Sequence, residues 1–185
     1  IFDKVVFIED GKIIEIADRN KPIACEVIDA ENGYLVPSFI DLQIYGSGGN
    51  LFSAYPTAAT LAQMEADLFA KGTTGFLACV ATNSPEIMIA AIEAAKLHRS
   101  AAKGFLGLHL EGPYINEKRR GAHVASYIKK AKLDEVKALV DLAEGEIKMM
   151  TIAPELQDDQ VIQFLLDSDV VLSLGHSDAS FDQAT

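Results

Sequence analysis

The sequence predicts an α/β protein on parallel strands: five βα units of a (β/α)8 barrel, preceded by a short all-β segment. Three observations predict it. From Leu35 onward a strand, loop and helix pattern repeats five times. The strand runs are apolar on both faces, as strands covered by helices or closed into a barrel are. Residues 1–36 read differently, as short strands joined by tight turns.

Composition narrows the function classes. The 185 residues are 49% hydrophobic, enough for a substantial core, and carry a net charge of −11. That charge argues against nucleic acid and against an anionic membrane surface as partners. No run approaches the roughly 18 apolar residues of a membrane span, and no signal peptide is visible. Cys25 and Cys79 stand far apart in sequence and read as reduced thiols. The expected location is cytoplasmic.

In chain order, Val5–Ile8, the turn Glu9-Asp10-Gly11-Lys12 and Ile13–Ile16 predict a hairpin. Cys25–Ala30 predicts a third strand and Asn32-Gly33 a turn. Three such strands need further strands to be stable. The first barrel strand is Phe39–Ile44, followed by the loop Gly46–Asn50. A helix over 57–71 has Leu61, Met64, Leu68 and Phe69 on one face and ends at Gly72. Strand two is Thr74–Val80. Ser84 and Pro85 then open a helix that runs to about Ala102, with Ile87, Ala91, Ala94 and Leu97 at helical spacing. The third strand, over 104–110, delivers Glu111. A long loop follows over 112–131, then a helix over 133–143 and a fourth strand over 147–152. A helix over 158–166, a fifth strand over 170–174 ending in Gly175-His176, and Ser177 as the N-cap of a further helix complete the pattern.

Two strand ends carry the chemistry. Gly107-Leu108-His109-Leu110-Glu111-Gly112-Pro113 is an apolar strand that ends in a carboxylate and a turn. Leu172-Ser173-Leu174-Gly175-His176-Ser177 delivers an imidazole in the same way. The C-terminal edge of parallel barrel strands is where active sites lie. A carboxylate and an imidazole there are the start of a metal site, and a buried Glu111 would be an expensive charge without a cation nearby. A full barrel takes about 250 residues. Three further units are therefore expected outside residues 1–185. A complete doubly wound five-stranded sheet is the alternative, but it would leave the leading β segment unpacked.

Four motifs in order are more specific. Val36-Pro37-Ser38-Phe39-Ile40-Asp41-Leu42-Gln43 resembles the first strand of the metal-dependent amidohydrolase superfamily. Leu108–Tyr114 with Gly121-Ala122-His123, Thr151-Ile152-Ala153-Pro154-Glu155, and Leu174–Ser177 together resemble the N-acetylglucosamine-6-phosphate deacetylases within it. The resemblance implies a small β-sandwich, to which residues 1–36 contribute, and a distorted (β/α)8 TIM barrel, of which residues 37–185 form the first five units. It implies removal of acetate from N-acetylglucosamine 6-phosphate, a small-molecule sugar phosphate, to leave glucosamine 6-phosphate. Glu111 and His176 fall on metal-ligand positions, and Ala122 and His123 on positions that contact the sugar. A further ligand histidine, the general acid/base aspartate and most phosphate-gripping residues are expected beyond Thr185, so residues 1–185 alone are expected to be inactive. The cofactor is one divalent metal ion, zinc by its ligand types. A homodimer is also implied.

The residues depart from the superfamily at the end of strand one, where His-x-His is replaced by Gln43 and Tyr45. Neither is an ordinary zinc ligand, which predicts a single metal. N-acetylgalactosamine 6-phosphate or another amide is the alternative substrate, and an inactive fragment with a binding or structural role is the alternative of another class. Simpler roles are expected elsewhere. His109, two residues before Glu111, points the same way into the barrel as a hydrogen-bonded core residue. His98 and Lys118-Arg119-Arg120 read as solvated surface, and Gly46–Asn50 as a turn.

Overall fold

A computed structural model describes residues 4–31 and 33–184. The chain divides into two compact units, Ile1–Pro37 and Ser38–Thr185. In the first, β1 (Lys4–Glu9) and β2 (Lys12–Asp18) form an antiparallel hairpin with a bulge between Phe7 and Ile8. Asp10 and Gly11 both have positive φ, at 49° and 72°, the conformation a two-residue hairpin turn requires. Cys25–Ala30, expected as a third strand, forms none. It finds no neighbouring strand among the described residues, and a strand needs a ladder to satisfy its backbone. The turn expected at Asn32-Gly33 includes Asn32, which lies outside the described residues.

The second unit is built on a five-stranded parallel sheet in the order β3-β6-β7-β8-β9. These strands are β3 (Phe39–Ile44), β6 (Thr73–Ala81), β7 (Phe105–Glu111), β8 (Ile147–Ile152) and β9 (Val171–Leu174). Spatial order follows chain order without reversal. That is the winding of a (β/α)8 barrel, and it rules out the doubly wound alternative, whose strand order reverses at a switch point. The expected turn at Gly46–Asn50 is a miniature hairpin, β4 (Gly46–Ser47) with β5 (Asn50–Leu51).

The helices between strands are α1 (Ala58–Phe69), α2 (Pro85–His98), α3 (Leu133–Ala143) and α4 (Asp159–Asp167), with α5 (Phe181–Ala184) after β9. In α1 the Thr57 hydroxyl accepts from the Thr60 N–H at 3.1 Å, and Leu61, Met64 and Leu68 face the sheet. Around them the core includes Phe76, Leu108, Leu110, Val136, Met150 and Leu165, with the Phe76 and Phe105 rings tilted at 5.7 Å. The buried face of α2 holds Met88, Ala91, Ile92, Ala94, Ala95 and His98, so Ala91 and Ala94 face inward as expected and Ile87 packs against the core, but the face swings past Leu97 to His98. Leu97 is therefore 73% exposed, while His98, expected on the surface, is 4% exposed against Phe105 and 3.7 Å from Glu65. The helix stops at His98 rather than near Ala102, because Glu65 Oε1 accepts the backbone N–H groups of Lys103, Gly104 and Phe105 and turns the chain into β7. Ser177 does not cap α5. Its hydroxyl donates to Glu155 at 2.7 Å and accepts from the Ala179 N–H at 3.0 Å. Cys25 is exposed, Cys79 buried, and both are free thiols. Among the described residues no helix is long and apolar enough to cross a membrane.

Candidate metal centre

The ends of β6, β7 and β8 stand level, with Ala81, Glu111 and Thr151 in register. Glu111 is the last residue of β7 and is 5% exposed. Gly112, at φ +85°, turns the chain away, and a side chain there would meet Thr82 Oγ1 at 2.1 Å. Both Glu111 oxygens are engaged. Oε1 accepts from Gln43 Nε2 at 2.8 Å and faces His176 Nε2 at 3.1 Å. Oε2 accepts from the Tyr45 hydroxyl and lies 3.4 Å from His123 Nε2. Burial alone would raise the Glu111 pKa. The hydrogen bond from Tyr45 leads the contributions that outweigh it, and the carboxyl is held below its usual range.

His176 follows β9 with φ +49°, a left-handed conformation that a side chain bearing Cβ rarely adopts. It is held from several sides. The Gly175 N–H donates to Ile152 O at 3.2 Å, the Asn116 N–H donates to His176 O at 2.9 Å, and the ring Nδ1 lies 2.9 Å from Arg119 O. His123, on the long loop after β7, is 8% exposed, its ring 4.4 Å from that of His176. Its Nδ1 accepts from the Thr82 backbone N–H at 3.3 Å and lies 2.8 Å from Thr82 Oγ1.

These partners fix opposite tautomers. A carbonyl can only accept, so the neutral His176 ring carries its proton on Nδ1 and turns its Nε2 lone pair toward Glu111. A backbone N–H can only donate, so neutral His123 keeps Nδ1 bare and carries its proton on Nε2. Burial foremost lowers the His123 pKa, which favours that neutral ring. Glu111, His123 and His176 bring one candidate ligand atom each within 4.8 Å of one another. The Glu111–His176 pair fits a divalent metal: an anionic oxygen faces a lone pair at 3.1 Å, a contact that a shared cation makes favourable. The Nε2–H of His123 fits a donor to substrate.

No protein-family profile matches the chain. Curated relatives do. It is 34% identical over 184 residues to N-acetylglucosamine-6-phosphate deacetylase of Bacillus subtilis, covering 94% of this chain and 46% of the relative. It is 35% identical over 150 residues to N-acetylgalactosamine-6-phosphate deacetylase of a Shewanella species, covering 80% of this chain and 38% of the relative. The crystal structure of N-acetylglucosamine-6-phosphate deacetylase from Pasteurella multocida superposes with a TM-score of 0.90 at 31% identity, covering 100% of this chain and 49% of that one. This chain is a homologue of the N-acetylglucosamine-6-phosphate deacetylases. It spans about half the length of the curated relatives it matches.

In this deacetylase homologue the remaining sequence-derived candidates are placed as follows. Ala122 is exposed beside His123 and outside the cluster. His109 lies 2.9 Å from Leu42 O through Nδ1 and 2.7 Å from Thr151 Oγ1 through Nε2, within the barrel wall. Gln43 and Tyr45 both donate to Glu111. Arg119 pairs with Asp178, and Arg120 donates to His123 O at 2.9 Å. Sequence reasoning overlooked Thr82, which fixes the His123 tautomer, because it sits one residue past β6 and belongs to no motif. It also left Glu155 without a role, although the motif that contains it was visible.

Proposed function

We propose that the protein carrying this chain hydrolyses the N-acetyl group of N-acetylglucosamine 6-phosphate, giving glucosamine 6-phosphate and acetate. The opposite tautomers of His123 and His176 around Glu111 carry this reading. Glu111 and His176 Nε2 would hold one divalent metal, and carboxylate and imidazole ligands suit zinc. Such an ion supplies an acidified water and polarises the amide carbonyl. Gln43 and Tyr45 orient the Glu111 carboxylate, and their side chains leave no second imidazole pair for another ion. His123 donates its Nε2–H to the acetyl oxygen or a sugar hydroxyl, with Ala122 beside it against the sugar. A third ligand and a general acid/base aspartate are assigned outside residues 1–185, as are most phosphate contacts. We further assign residues 1–36 to a small β-sandwich, and the whole protein to the cytoplasm as a homodimer.

The test is acetate release from N-acetylglucosamine 6-phosphate by the complete protein, before and after chelation and after zinc is restored. Activity lost with the chelator and regained with zinc supports the reading. A folded, zinc-loaded protein that releases no acetate would overturn it. Running N-acetylgalactosamine 6-phosphate in parallel assigns the sugar, since the Shewanella relative is named for that epimer.

A further inference from the structure

The Thr151–Glu155 motif leaves Glu155 unused by the proposed reaction, yet its carboxylate is fully engaged. Oε1 accepts from Asn116 Nδ2 at 2.8 Å and from the Asp178 backbone N–H at 2.8 Å, and Oε2 accepts from Ser177 Oγ at 2.7 Å. Burial would raise its pKa, but these three donors outweigh it and keep the carboxyl low. The segments so joined are the two that hold His176. Ser177 and Asp178 follow it directly. The Asn116 N–H donates to His176 O, and the Arg119 carbonyl accepts from the His176 Nδ1–H at 2.9 Å. The Arg119 side chain closes the circuit on Asp178. His176 meanwhile sits at φ +49°, and a conformation of that kind persists where its surroundings over-determine it.

We propose that Glu155 is a positioning residue for His176: it ties the peptide after β9 to the loop after β7, and so aims Nε2 at Glu111. This rests on the metal-site reading above. Glu155 itself contacts neither Glu111 nor the His176 ring among its hydrogen bonds. What it supplies is acceptors in the right places, so geometry matters more than charge. A glutamine can keep Oε1 on Asn116 and the Asp178 amide, while its NH2 donates to Ser177, whose hydroxyl turns to accept. An alanine removes all three anchors.

The experiment measures Zn2+ affinity of the complete protein by competition with a chromophoric chelator, together with the visible absorption of the Co2+-loaded form, which reports ligand geometry. Glu155→Ala is expected to weaken zinc binding by about 10–100-fold, as loss of a ligand-orienting partner typically does, and to shift the cobalt band. Glu155→Gln is expected to stay within about threefold of the unmodified protein, a small fraction of that effect. Unchanged affinity and spectrum in Glu155→Ala would overturn the proposal, and so would Glu155→Gln as weak as alanine. Should Glu155→Ala fail to fold, Ser177→Ala takes its place; it removes one anchor, and an unmoved cobalt band there would also overturn the proposal. An unmodified protein that binds neither Zn2+ nor Co2+ would bring down the metal-site reading itself, and this proposal with it.

Discussion

Glu111 and His176, 65 residues apart in sequence, meet at 3.1 Å with a carboxylate oxygen opposite an imidazole nitrogen whose ring proton lies on the far side. A divalent cation held between them would join both atoms. Glu111→Gln keeps the shape and removes the charge. It is expected to weaken zinc binding by more than the roughly 10–100-fold typical of residues that only orient ligands, and to abolish acetate release. Zinc stoichiometry after dialysis, measured beside the acetate assay, checks this.

His123 separates a ligand from a donor. With its proton on Nε2, His123→Gln is expected to lower kcat by about 100-fold or more, the effect of losing one preorganised hydrogen-bond donor, and to leave zinc affinity nearly unchanged. A parallel collapse of zinc affinity would instead make His123 a ligand. Titrating both variants with the chelator used for the unmodified protein decides between them.

Thr82 and Gly112 are expected to be sensitive for different reasons. A methyl at Gly112 meets Thr82 Oγ1 at 2.1 Å while the backbone sits at φ +85°. Gly112→Ala should therefore cost about 2 kcal/mol or more of stability by denaturant titration. Thr82→Val removes the hydroxyl from His123 Nδ1 but keeps the backbone N–H, so kcat should fall less than in His123→Gln.

Glu65 gives the fold an acid limit. Burial would raise its pKa, but the N–H groups of Gly104, Lys103 and Phe105, with His98 nearby, outweigh it and lower the value. A carboxylate with a lowered folded pKa contributes stability that is complete above its unfolded value of about 4 and is lost as pH falls through the folded value. Glu65→Ala strands three backbone donors, two of them buried, and should cost roughly 3 kcal/mol near neutral pH. The penalty should shrink below about pH 4, where the unmodified protein protonates Glu65 as well. Thermal melts of both proteins from neutral to acidic pH test the sign.

Glu111 and His176 were legible because each ends an apolar run at a glycine, a pattern that strand geometry produces directly. The order of strands was legible from the repeat itself. His98 was misread because Lys96 and Arg99 flank it, and charged neighbours mask a residue that the 3.6-residue period turns inward. Glu65 carried a usable signal, one position after Met64 and three before Leu68 on a buried stripe, where an acid must be paired. The tautomers of His123 and His176 had none. They depend on Thr82 and Arg119, whose positions opposite the rings arise only when loops from different strands converge. Cys25–Ala30 shows the opposite failure, since a strand-like run cannot make a strand without a neighbour among the described residues.

The five-stranded sheet has β3 and β9 at its margins, and both present large apolar side chains to water: Phe39 at 66%, Ile40 at 63%, Val171 at 57% and Leu174 at 53%. Bare margins of this kind are templates for further strands from any chain that offers them. Handled as 185 residues, the polypeptide should be prone to self-association and precipitation. Dilution and a solubilising fusion are thus practical conditions for preparing it.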